Sequence, residues 1–387
     1  MALATATKER PSKEKNRACI TLNLNELRRA VKIAGMAVAR KSHNSAVTNV
    51  CIGNGLVTGT DLDCRIDVEL IDAQCEPILL PKDRLHTILL NATGDTVTLT
   101  PDGSTCKIKA KGCEWKLPTE PASEFPLWEP EDLHPMLAVT GDEFRRAVKS
   151  VIYAIDRESS RYALGGVFIE CVGNTAFFVA TDGRRMSIAE MGREAATDDF
   201  VNDPKGTEKK SPIVPTSPMV WLSNEAGSDE TVALECDAKT FRGNVGGITV
   251  TCRLIDGRFP RWRDFLGEEL PKAHSVCRDD LVHAVSCAAV VATESSKGVR
   301  FAFSGDTLTL TAKSSEAGQS EVECRVDAPA EAATVKLDPK YVHSFLKPFG
   351  QDNEPCVSIH VCKPDGKTVM KVGDSYTGVI MPLAEDA

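Results

Sequence analysis

The sequence predicts an α+β protein built as three tandem copies of one helix–strands–helix–strands unit. An amphipathic helix recurs three times, and each recurrence is followed by the same order of strands, second helix and further strands. At 387 residues the chain is also too long for one ordinary core, which makes several domains the natural expectation.

The first helix is clearest within residues 140–155. Phe144, Ala147, Val148 and Val151 recur at i, i+3, i+4 and i+7 and share one apolar face, while Arg145, Arg146 and Lys149 lie on the other. Upstream, Leu27, Ala30, Val31 and Ala34 repeat the apolar set, and Arg28, Arg29 and Lys32 the basic one. Downstream, Leu281, Ala284, Val285 and Ala288 repeat the apolar set, but the polar face reads Val282, His283 and Ser286. The basic face fades in the third copy.

Paired β-rich runs follow each first helix: 47–53 with 55–60, 166–171 with 176–180, and 299–303 with 307–311. Second helices are expected over 82–90, 216–223 and 340–349, where Pro81, Pro215 and Pro339 suit a helix start. Alternating strands come next, at 96–100 and 106–110, 231–235 and 248–254, and 357–361 and 368–372. Turn residues such as Pro101-Asp102-Gly103 separate the pairs. Copies one and two close on Phe125-Pro126-Leu127-Trp128 and Phe259-Pro260-Arg261-Trp262. The domains are therefore 18–137, 138–266 and 267–387, after a tail of residues 1–17 whose small, polar and charged composition reads as disordered. Residues 192–211, rich in Asp, Lys, Gly and Pro, read as a solvated loop insertion in copy two.

Hydrophobic residues at 42% and charged residues at 26% describe an ordinary soluble protein. A net charge of −9 argues against a surface that coats nucleic acid all over, but leaves room for a local basic strip. The 14 cysteines form no Cys-x-x-Cys pair and the histidines do not cluster, so no metal site and no cofactor is expected; the thiols read as small buried hydrophobes of a reducing cytosol. No signal peptide opens the chain and the apolar run near 284–292 is too short for a bilayer, so a cytoplasmic protein without a membrane role is expected.

Size suggests what the repeat is for. A domain of about 120 residues is roughly 35 Å across; six in a closed ring leave an opening of about 35 Å, which passes a duplex of about 20 Å, whereas three leave about 5 Å. A head-to-tail pair of chains would supply six domains. Arg28, Arg29, Lys32, Arg40, Lys41, Arg145, Arg146, Lys149, Arg157 and Arg161 concentrate on or just after the first helices of copies one and two. Cations gathered on one surface of an acidic protein fit a lining for phosphates, with contacts that are independent of sequence and sensitive to salt.

Four stretches also carry a resemblance. Tyr162-Ala163-Leu164-Gly165-Gly166-Val167, Ala180-Thr181-Asp182-Gly183-Arg184-Arg185-Met186, Asp256-Gly257-Arg258-Phe259-Pro260 and Val379-Ile380-Met381-Pro382-Leu383 together resemble the bacterial sliding clamp, the beta subunit of DNA polymerase III. The resemblance runs from about Cys19 to Leu383. It implies a homodimeric ring of six like clamp domains that encircles duplex DNA and tethers the DNA polymerase catalytic subunit, the clamp loader and repair factors through short peptides. It also implies a partner-peptide pocket between the second and third domains. One wall would include Leu164, Thr181, Gly183, Arg184, Arg185, Met186, Pro260 and Phe265; the other Asp338, Tyr341, Val379, Met381, Pro382 and Leu383. Leu, Met, Phe and Pro would form an apolar groove while Thr181 and the arginines hold the peptide's polar groups. Arg184 stands where this family usually has His, and Asp264 where a basic residue is common.

Two other classes compete with a clamp. Asp61, Asp63 and Asp182 could serve a metal-dependent phosphodiesterase, although Asp61 and Asp182 are equivalent positions of the repeat at strand-turn junctions. A repeat-built scaffold without DNA binding is the other.

Overall fold

The computed structural model describes residues 19–126, 128–130, 132–156, 162–193, 199–201, 209–267, 269–293, 298–349, 356–363 and 366–384. The tail of residues 1–17, Arg157 and Arg161 lie outside these. The chain divides into two compact units, Met1–Trp128 and Glu129–Ala387.

In the first unit, helix α1 (Leu24–Ala34) starts where the Asn23 side chain accepts the backbone N–H groups of Asn25 and Glu26. Its Leu27, Ala30, Val31 and Ala34 are buried. Helix α2 (Lys82–Asn91) packs against it and buries Leu85, Ile88 and Leu89. Four antiparallel strands run in the order Ile20–Asn23, Thr96–Asp102, Thr105–Ala110, Cys113–Pro118. Four more run in the order Ile78–Pro81, Asn49–Gly53, Leu56–Thr60, Cys64–Glu69.

The second unit holds two further copies of this plan. Helix α3 (Gly141–Val151) begins in a capping box, with Thr140 and Glu143 satisfying each other's backbone N–H groups. A Cβ on Gly141 would stand 1.9 Å from the carbonyl oxygen of Gly227, so only glycine fits this close approach. Helix α4 (Thr216–Glu225) packs on α3, the short α5 (Trp262–Leu266) closes the second copy, and α6 (Arg278–Ala288) packs on α7 (Pro339–Leu346) in the third. Pro81 and Pro215 occupy the cap position just before their helices, while Pro339 lies in the first turn.

One sheet runs through both copies of this unit. Strand Arg185–Gly192 of the second pairs antiparallel with strand Tyr376–Ile380 of the third, in register from Arg185 opposite Ile380 to Ala189 opposite Tyr376. Each copy also opens with a strand that the sequence reading passes over: Ile20–Asn23, His134–Thr140 and His274–Cys277. Leu137, at the end of the first expected domain, lies inside one of them, opposite Leu234.

The insertion at 192–211 is not wholly solvated. Phe200 is buried in a short strand that joins the sheet opposite Cys171, and the Ser211 hydroxyl donates to the Phe200 carbonyl at 2.7 Å. Its polar composition concealed one aromatic anchor; residues 194–198 and 202–208 lie outside the described set.

Candidate partner-peptide groove and cationic helix faces

The turn that carries Arg184 is built by two short polar side chains. Thr181 Oγ1 donates to the Arg185 carbonyl at 2.7 Å and accepts the Gly183 N–H at 3.1 Å, while Asp182 Oδ1 accepts the N–H groups of Arg184 and Arg185 at 2.9 and 3.0 Å. The first copy has the same turn: Thr60 Oγ1 donates to the Cys64 carbonyl and accepts the Leu62 N–H, and Asp61 accepts the N–H groups of Asp63 and Cys64. Gly183 and Leu62 both sit at φ +86°, a region glycine enters freely and leucine does not. Thr181 thus builds the turn that presents Arg184.

Six of the expected wall residues come together around one groove of about 490 Å³: Arg184, Asp338, Tyr341, Met381, Pro382 and Leu383. Ala292, Thr293, Pro339, Lys340 and Ala384 complete its lining, and the sequence reading assigns none of these to the pocket. Lys340 was within reach of it, since the Asp338-Pro339 helix start sets Lys340 beside Tyr341. The last strand continues past Ile380 across the groove: the Met381 N–H donates to the Arg184 carbonyl and the Leu383 N–H to the Lys336 carbonyl, each at 2.8 Å. Met381, held by its backbone, keeps its side chain 43% exposed.

The other expected wall residues lie elsewhere. Leu164, Met186 and Val379 are buried in one core cluster with Phe259 and Trp262. Pro260 follows Phe259 in the chain and is half-buried. Phe265 is 52% exposed at the end of α5, where its carbonyl accepts from Lys367 Nζ at 2.5 Å, and neither it nor Pro260 lines the groove.

Arg185 is held within the fold. Its Nε is 2.9 Å from Asp182 Oδ2, and its guanidinium carbon lies 4.5 Å from the Tyr341 ring centre and 5.2 Å from that of Tyr153. Beneath it, Tyr153 and Tyr376 share a hydroxyl–hydroxyl bond of 2.9 Å, and Ser187 donates to the Ser150 carbonyl at 2.6 Å. Burial pushes both tyrosine hydroxyls above their ordinary range, Tyr376 well above it.

The expected DNA-facing cations divide into two kinds. Arg28 Nε and Nη2 donate to the carbonyls of Leu89 and Ala92 at the end of α2 (2.8 and 3.3 Å), and Arg145 donates to the Ala226 carbonyl at the end of α4. Each guanidinium thereby caps the second helix of its own copy. In the third copy Arg278, one turn before Val282, takes that role by donating to the Leu346 carbonyl of α7 at 3.2 Å. Arg28 and Arg145 therefore belong to helix packing and not to an exposed strip. Arg29, Lys32, Arg40 and Lys41 are exposed on or after α1, and Arg146 and Lys149 on α3.

Asp61 and Asp182 are occupied by turn N–H groups, and among the described residues no group of three or more His, Cys, Asp or Glu could hold a metal ion. Burial raises the thiols of Cys51, Cys106 and Cys324 to about 11 and that of Cys171 to about 12, which suits small apolar packing residues.

Residues 138–261 match the central domain of the DNA polymerase III beta subunit, and residues 265–382 its C-terminal domain. A beta sliding clamp of Caulobacter vibrioides is 28% identical over 386 residues, covering 94% of this chain and 99% of the relative. One from Vibrio cholerae is 27% identical over 340 residues, covering 84% and 88%. Among solved structures, the Pseudomonas aeruginosa sliding clamp bound to griselimycin superposes with a TM-score of 0.85 at 22% identity, over 95% of this chain and 99% of that one. A sliding clamp from Caulobacter crescentus gives 0.82 at 25% identity, over 95% and 100%. Repeated helix-and-sheet units of this kind define a clamp-type fold. The chain belongs to the DNA polymerase III beta subunit family of bacterial beta sliding clamps.

Proposed function

We propose that two copies of this chain close head to tail into a six-domain ring that encircles duplex DNA without sequence preference and acts as a processivity factor for the replicative polymerase. The observation that carries this reading is the aligned exposure of Arg29 with Arg146 and of Lys32 with Lys149, at matching positions of α1 and α3 in a chain of net charge −9. Closure is supported by open sheet edges: Cys113–Pro118 ends a sheet of the first unit, with Lys116 exposed, and Gly318–Arg325 ends a sheet of the second, with Glu321 and Glu323 exposed. An edge strand presents unpaired backbone groups that a second chain can complete. The groove around Met381 would receive short apolar peptides of the polymerase, the loader and repair factors. The chain contributes no catalytic step in this reading.

Retention on DNA tests it. The chain should elute as a dimer and, once loaded, stay on circular duplex but leave linear duplex through its ends. A monomer, or equal loss from both substrates, would exclude the ring.

A further inference from the structure

We propose that His274 is an acid-sensitive latch of the third copy: its neutral ring holds the loop of residues 326–332 in place, and protonation of that ring releases the loop. His274 opens strand His274–Cys277 and is only 2% exposed. Its Nδ1 accepts the backbone N–H of Ala330 at 3.2 Å, which demands an unprotonated nitrogen there. The ring also stacks on Phe303, 4.1 Å between centres and 18° between planes, so it cannot swing out to water without breaking that packing. Two backbone bonds complete the fastening: the Ser275 N–H donates to the Ala328 carbonyl at 2.9 Å, and the Asp327 N–H to the Ser275 carbonyl at 2.8 Å. A proton on Nδ1 would turn an acceptor into a donor that faces a donor inside a packed site.

The surroundings offer that proton little compensation. Lys272, Lys363 and Glu331 line one cavity of about 710 Å³ with His274, so two cations stand against one carboxylate. Cys362 lines it too, while the sheet strands beside the ring supply Phe303, Ala333 and Thr334, which do not ionise there. On strand Cys356–Val361, whose Ile359 pairs with His274, His360 is turned to the Pro271 carbonyl at 2.7 Å. Asp327 lies 3.7 Å from Arg325. Burial holds the His274 imidazole below its ordinary range. Its contribution is therefore fully present above a histidine's ordinary value of about 6.5 and is lost as pH falls below it. The loop joins strand Gly318–Arg325 to strand Ala333–Leu337, the two outer strands of one four-stranded sheet, so its release frees the end of an open sheet edge. The latch belongs to the third copy alone and does not depend on ring closure.

Hydrogen–deuterium exchange of the full chain, corrected for intrinsic rates, tests the latch at about pH 7.5 and about pH 5.5. Protection of residues 326–332 should fall about tenfold at the lower pH, while residues 231–253 of the second copy keep theirs. His274→Asn, whose amide oxygen can stand in for Nδ1, should abolish the pH dependence. His274→Phe, which keeps the stack and loses the acceptor, should exchange fast at both pH values. Equal protection at both values in the unaltered chain overturns the latch, as does a fall spread evenly over all three copies. A fall that persists in either variant assigns the acid response to another group and overturns it as well.

Discussion

Arg185 lies over Tyr341, its guanidinium carbon 4.5 Å from the ring centre, so a residue of the second copy is braced against a helix of the third directly behind the groove. Asp182 holds the other side of the same guanidinium. Removing the cation should therefore loosen the groove wall without removing a peptide contact. Arg185→Ala and Tyr341→Leu in a double-mutant cycle should show a coupling of about 1 kcal/mol in denaturant unfolding. Strict additivity would mean that the stacking contributes nothing.

The two arginines of α3 should separate cleanly. Arg145→Ala strips the cap from α4 and should lower stability by about 1–2 kcal/mol. Arg146→Glu with Lys149→Glu should leave the melting temperature nearly unchanged and weaken retention on circular DNA at low salt. Calorimetry alongside a retention assay reads both, and unchanged retention would turn that helix face away from nucleic acid.

Leu62 occupies a backbone conformation that its twin Gly183 reaches without cost, and its side chain is 42% exposed, so little packing opposes a change. Leu62→Gly should be neutral or stabilising by up to about 1 kcal/mol, although glycine adds freedom to the unfolded chain. Gly183→Leu should cost about 1–2 kcal/mol at the matching position. Equal losses in both variants would show that the turns are not equivalent.

Tyr153 and Tyr376 stay protonated in the folded chain to a higher pH than in the unfolded one, because burial disfavours the phenolate. Their contribution is thus fully present below the unfolded value near 10 and is lost as pH rises past it. The denaturation midpoint should drop from about pH 9.5 to 11, and the drop should flatten when both tyrosines become phenylalanine. Identical slopes would show that the pair ionises as it does in water.

Met381→Ala should weaken client-peptide binding about tenfold, through loss of an exposed apolar anchor, and leave the dimer intact. Titration calorimetry with unchanged affinity would place the peptide elsewhere.

The repeat was legible because burial obeys periodicity: Leu27, Phe144 and Leu281 occupy one position of three helices, and each is fully buried. The roles of Arg28 and Arg145 were not, since the pattern places them on a polar face but cannot show that the end of a neighbouring helix waits there. Val282 looked like a lost cation, yet Arg278 supplies the same cap from one turn earlier. For the groove, Arg184 of the turn and Met381, Pro382 and Leu383 after the last strand converge with Asp338 and Tyr341, while Phe265 lies outside the lining and Lys340 was missed. The end of a short helix is placed by contacts far along the chain, such as Lys367 to the Phe265 carbonyl, and no local pattern encodes them.

The pairing of strand Arg185–Gly192 with strand Tyr376–Ile380 means that the turn bearing Arg184 and the tail bearing Met381 are stitched by the same row of backbone hydrogen bonds. The groove is therefore preassembled: a peptide that docks as proposed would meet both walls already at their separation and surrender none of its binding energy to bringing them together. Chimeras that exchange the third repeat between relatives should keep this site only when both halves of that seam come from one parent.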